Sequence, residues 1–233
     1  MSRVTEGPWT GPRLLRHLKT LADPAAAAGM ARFGITGQRV YGISMPRLRG
    51  IARQIGKDHA LARSLWASGV HEARILASMV DDPARVTETQ MEAWVRDFDS
   101  WDLCDQVCGN LFSKTAVAHR KALAWSRRRE EFVRRAGFAV MAWLAVQDRG
   151  APEGRFRRFL RAIVRGAGDE RNFVKKAANW ALRQIGKRSR TLNREAIIAA
   201  RAIGRLPGRG PRWIATDALR ELTSPAVQRR LRG

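Results

Sequence analysis

The chain is short of several things that would settle its chemistry at once. Its 233 residues include two cysteines, four histidines and one tyrosine. Two cysteines cannot build a disulfide framework. Cys104 and Cys108 stand four apart, with no second pair and with the histidines scattered, so there is no ligand set for a metal. They read as small packing residues on one side of a helix, and a reducing, cytoplasmic setting follows. No apolar run is long enough to span a membrane or to act as a signal. A nucleotide-binding glycine loop and a Ser-His-Asp arrangement are missing, and nothing calls for a cofactor. Alternating, strand-like runs are absent as well.

What is present is charge of one sign, unevenly placed. Up to Ala116 there are 15 Lys+Arg against 12 Asp+Glu; from Val117 to Gly233 there are 29 against 9. The second half therefore carries +20 of a total of +23. Arginine outnumbers lysine 37 to 7 and dominates both halves, so a coding bias does not account for the asymmetry. A field of one sign over half a fold attracts a polyanion, and without a membrane segment that polyanion is nucleic acid. A hydrophobic content of 45% with 28% charge belongs to a folded protein rather than a basic tail.

Nearly every segment has helical periodicity. Start signals fall at Ser44 before Pro46, Asp82-Pro83, Thr87, Asp99-Ser100, Pro152, Asp169, Asn193 and Ser224-Pro225. No linker divides the chain, which reads as one domain over 1–233. The stretch Gly204–Pro211 is expected to be the most mobile internal loop. Paired helices of degenerate sequence predict an all-α fold, an α-solenoid of HEAT-like repeats with a concave basic face; a compact bundle is the competing architecture.

Three helices carry a second face that their own core does not explain. Over Asp169–Lys187, the residues Val174, Ala178, Ala181, Leu182 and Ile185 form a stripe within about 100°, and Trp180 lies roughly 145° from its middle. Its neighbours there are Phe173, Lys176, Arg183 and Lys187, a composition suited to nucleic-acid contact as well as to packing on a neighbouring helix. Over Ser100–Phe112 the core is Leu103, Val107 and Leu111, while Trp101 and Asp105 stand together off that stripe. A carboxylate beside a basic groove repels phosphate, so Asp105 serves either a role other than affinity or a salt bridge to an arginine. Over Glu130–Ala145, Arg135 lies opposite Val133, Gly137, Val140 and Leu144. Small Ala139 and Ala142 beside it would let a phosphate approach its fork, and a merely solvated arginine on an Arg-rich surface is the equal alternative.

The runs Ser100-Trp-Asp-Leu-Cys-Asp105, Phe132-Val-Arg-Arg-Ala136 and Phe173-Val-Lys-Lys-Ala-Ala-Asn-Trp-Ala-Leu-Arg183, in this order, resemble the AlkD-type DNA alkylation repair glycosylases. Tyr41-Gly-Ile-Ser-Met-Pro-Arg47 is similar to that family too. The resemblance is strongest over 34–203, leaving 204–233 as an Arg-rich C-terminal extension. It implies a monofunctional glycosylase that removes cationic N3- and N7-alkylated purines from duplex DNA. It places the catalytic aspartate on Asp105, the two deoxyribose-contacting tryptophans on Trp101 and Trp180, and the phosphate-binding arginine on Arg135. Lys175 and Lys176 are expected to contact phosphates, with Arg183 and Lys187 on the same DNA-binding face. No metal and no cofactor are expected. The partner is double-stranded DNA, the chain a monomer associated with the nucleoid. A helical protein that binds distorted or branched DNA without cutting it is the alternative.

Overall fold

A computed structural model describes residues 8–36 and 39–231. Among these residues every regular element is helical, and their contacts divide the chain into two compact units, 1–87 and 88–233.

The first unit holds α1 (Gly11–Thr20), α2 (Pro24–Ala31), α3 (Met45–Ile55), α4 (His59–Ala67) and α5 (His71–Val80). Side-chain oxygens start several of them: Thr10, Asp23 and Asp58 accept from the amides of Arg13, Ala26 and Leu61. The Tyr41–Arg47 run owes its shape to Glu72. This carboxylate is 1% exposed and accepts from the backbone amides of Tyr41, Gly42 and Ile43, at 2.9, 2.6 and 3.3 Å for the nearer oxygen of each. Three amides aimed at one buried carboxylate satisfy a turn that would otherwise carry orphan donors.

The second unit begins with α6 (Glu88–Arg96) and α7 (Trp101–Asn110), followed by a 3₁₀ turn, Phe112–Lys114. It continues through α8 (Ala118–Trp125), α9 (Glu131–Gln147), α10 (Glu153–Gly166), α11 (Asn172–Gly186), α12 (Arg190–Gly204), α13 (Arg209–Leu222) and α14 (Pro225–Arg230). Alternate helices stack: α7 packs on α9, α9 on α11 and α11 on α13, while α8, α10 and α12 form a second row behind them. Each layer buries its apolar stripe chiefly against the next, which is the repeat logic of the α-solenoid and not that of a bundle. The stripe read from the sequence of α11 is fully buried, as are Leu103, Val107 and Leu111.

Three of the expected helix starts fall elsewhere. Asp82-Pro83 makes a turn in which Asp82 accepts from the amide of Ala84. Asp169 binds the amide and guanidinium of Arg171 just before α11. Asn193 lies inside α12, which Ser189 caps; the buried Asn193 amide instead donates to the carbonyls of Gly186 and Leu222. The Gly204–Pro211 segment is a shorter connection than its composition suggests. Helix α13 already starts at Arg209, and the Gly210 amide donates to both oxygens of Glu170 at 2.9 Å. The segment after 204 therefore belongs to the stack, with α13 packed on both α11 and α12.

Candidate active site

Helix α9 is flanked by α7 and α11, and eleven of its seventeen residues are buried. That corrects the expectation for Arg135. The alanines meant to leave room for a phosphate, Ala139 and Ala142, are fully buried, and Arg135 is only 5% exposed. Its fork is filled from within the fold. Nε and Nη2 donate to Asp105 Oδ1 and Oδ2 at 3.0 and 2.7 Å, and Nη1 donates to the Phe173 carbonyl at 2.6 Å. One guanidinium thus ties α7 to the first turn of α11 through α9. A bidentate pair of this kind fixes orientation as well as charge.

The carboxylate so held is not sealed. The Asp105 side chain is 17% exposed, and each oxygen keeps a lone pair beyond the one given to Arg135. Burial pushes its pKa above the ordinary aspartate value, and the charge and hydrogen bonds of Arg135 pull the other way. Trp101, one turn earlier on α7, is half-buried, and the Arg135 guanidinium carbon lies 6.0 Å from its ring centroid.

A third tryptophan, missed from the sequence, completes the cluster. Trp143 Nε1 donates to the backbone carbonyl of Asp105 at 3.1 Å, and its ring meets that of Trp180 edge-on, with centroids 5.6 Å apart. The indole reaches α7 only because residue 109 is glycine: a Cβ there would stand 2.3 Å from Trp143 Cε2. The signal available in the sequence was weak. Trp143 lies two turns beyond Arg135, about 80° round the helix, and nothing in the local pattern pairs it with Gly109. The structure thus joins Trp101, Asp105, Arg135, Trp143 and Trp180 by a continuous chain of contacts.

The cations expected on α11 divide into two groups. Lys176 is exposed and Lys175 half-buried; neither forms an ion pair among the described residues, and the Lys175 ammonium lies 5.9 Å from the Trp213 ring. Arg183 and Lys187 face α13 instead, where Glu221 takes both, Lys187 at 2.6 Å. Asp217 adds a second carboxylate 3.6 Å from Arg183. Their positive charge is therefore largely compensated inside the fold. The two cysteines are buried side by side, their thiols near the carbonyls of Phe132 and Ala136, and among the described residues no cluster could hold a metal ion. No described helix is long and apolar enough to cross a membrane.

No curated protein matches the chain. A solved structure does, with a TM-score of 0.80 and 19% identity over 96% of each chain. It is described as representing a new family of proteins related to the HEAT-like repeat DNA glycosylases, with affinity for branched DNA structures. At that identity the likeness speaks for the fold, and it agrees with the HEAT-like solenoid. The family profile described as DNA alkylation repair enzyme matches residues 14–222, which takes in most of both units and every residue of the cluster, and the chain belongs to that family.

Proposed function

We propose that the protein is a monofunctional DNA glycosylase that hydrolyses the N-glycosidic bond of cationic N3- or N7-alkylated purines in duplex DNA. The observation that carries this reading is an ionisable carboxylate, Asp105, fixed by a buried arginine and flanked by indoles in an otherwise strongly basic unit. Alkylation makes the purine a cationic leaving group. As its bond to the sugar breaks, the purine takes the electron pair and loses its charge, and positive charge develops at the anomeric carbon. Asp105 faces that charge, while Trp101 and Trp180 add the attraction of their ring faces. Water adds to the same carbon and gives up a proton, for which a carboxylate raised by burial is the better acceptor. A preorganised group of this kind is typically worth about 3–4 kcal/mol of barrier. Lys175 and Lys176 hold the backbone; Arg135 orients Asp105 rather than gripping phosphate. The protein acts as a monomer.

A second reading has its own support. Asp105 already has a complete partner in Arg135, as a purely structural aspartate would, and the solved relative is described by its affinity for branched DNA. The test is single-turnover release of methylated purines from methylated duplex DNA, with Asp105→Asn beside the wild type. Release that vanishes in the variant while DNA binding is kept supports the glycosylase. No release by the wild type, with tighter binding to a four-way junction than to duplex, sinks it in favour of the binder.

A further inference from the structure

Arg134, the neighbour of Arg135, points about 100° away from it around α9 and into a different place. It lines a pocket of about 430 Å³ together with Ser126, Arg127, Ala162, Arg165 and Gly166. No carboxylate is among the lining residues. Arg127 and Arg165 are exposed and form no ion pair among the described residues. Among the described residues Arg134 pairs only with Asp169, whose Oδ2 lies 3.4 Å from its Nε and is already held by Arg171 at 2.6 Å. That Nε is buried and has no hydrogen-bond partner among the described residues. Gly166 makes the arrangement possible, since a Cβ there would come within 3.4 Å of Arg134 Nη2 and 2.6 Å of the Phe138 ring. The floor is firm as well: Ser126 is 4% exposed and its hydroxyl is tied to the Leu123 carbonyl.

Singly, a cation just past the end of α8 or in the last turn of α10 is ordinary helix-end chemistry. That accounts for Arg127 and Arg165 one at a time. It does not account for their convergence with Arg134 on one concavity, where the Asp169 carboxylate that reaches Arg134 is shared with Arg171 and none reaches Arg127 or Arg165 among the described residues, so that like charges repel unless an anion is supplied. Three guanidiniums lining one concavity present the donors that the oxygens of a phosphate group accept, in a space with ample room for it.

We infer that the Arg127–Arg134–Arg165 pocket is a phosphate site separate from the Asp105 cluster, filled by a backbone phosphate of bound DNA or by a free phosphate monoester. It rests on the proposed DNA-binding role only for the first of those sources. The exposed pair supplies a variant that should fold, Arg127→Gln/Arg165→Gln. In one arm, duplex binding is followed by fluorescence anisotropy across a salt series. A DNA-borne phosphate predicts binding weakened roughly tenfold or more and a salt slope lower by about 1 to 2. In the other arm, inorganic phosphate is titrated at constant ionic strength while the melting temperature is read. Stabilisation of the wild type that the variant loses, with duplex binding unchanged, assigns the site to a free phosphate monoester. No difference between the proteins in either arm overturns the inference. Methylpurine release is a separate readout: its absence from the wild type would remove the glycosylase reading and leave this site standing.

Discussion

Replacing Arg135 with lysine separates a clamp from a phosphate contact, because the charge is kept and the fork is lost. The guanidinium makes three hydrogen bonds at once, at 3.0 and 2.7 Å to the two oxygens of Asp105 and at 2.6 Å to the Phe173 carbonyl. A single ammonium on a different stem cannot reach both elements with the same geometry. Losing one or two bonds that involve charged groups, each worth about 1.5–3 kcal/mol, leaves a net cost near 2–4 kcal/mol. For a chain of this length that lowers the melting temperature by roughly 5–15 °C. Single-turnover excision should fall with it, since both Asp105 and the start of α11 lose their common anchor. The affinity for undamaged duplex and its salt slope should hold, because a residue 5% exposed neutralises no phosphate. Differential scanning calorimetry with anisotropy at several salt concentrations decides the matter. An unchanged melting temperature together with a salt slope reduced by about one would refute the clamp and restore Arg135 as a phosphate contact.

Other perturbations follow the same logic. Gly109→Ala places a methyl group against the Trp143 indole and should destabilise by about 1–3 kcal/mol in urea titrations, slowing excision as the Trp143–Trp180 contact shifts. Glu221→Gln releases Arg183 and Lys187 from their shared carboxylate; duplex binding should tighten and its salt slope steepen, and no change would mean that these cations never face DNA. The pH dependence has two signs. Asp105 is raised by burial above 3.8, so the folded state binds its proton more tightly; its contribution favours the fold at low pH and is lost as pH rises through the folded value, while excision falls off on the acid side at a midpoint above 3.8. Burial also pushes Glu92 upward, but hydrogen bonds from Lys121 and Trp125 bring it below 4.5, so its contribution is present above 4.5 and lost as pH falls through the lowered value. Melting curves of Glu92→Gln and the wild type should therefore converge in acid.

The helices were legible because their apolar stripes are: Val174, Ala178, Ala181, Leu182 and Ile185 all bury where a 3.6-residue period puts them. Trp101 and Asp105 could be found for the complementary reason, since they lie off their own stripe. Arg135 misled because a helix with neighbours on both flanks has no free face, and periodicity within one segment cannot count the neighbours. Trp143 was hidden by the same effect, its significance resting on a glycine 34 positions earlier. The pairing of Arg183 and Lys187 with Glu221 escaped because it is made across helices, between α11 and α13, whose register no local pattern sets. Asn193 signalled a helix start by type, yet its amide closes the ends of two other helices from inside α12.

The carboxylate of Glu170 has a consequence for how the array assembles. Helix α13 begins after Gly208 with no capping side chain of its own, so its first turn depends on an acceptor 40 residues earlier. Starting a helix is the costly step, and extending it is cheap. Helix α13 is therefore poorly placed to form ahead of the α10–α11 connection, which presents Glu170 to its amide. Assembly along this part of the chain acquires a direction, the α10–α11 connection acting as the template on which α13 starts.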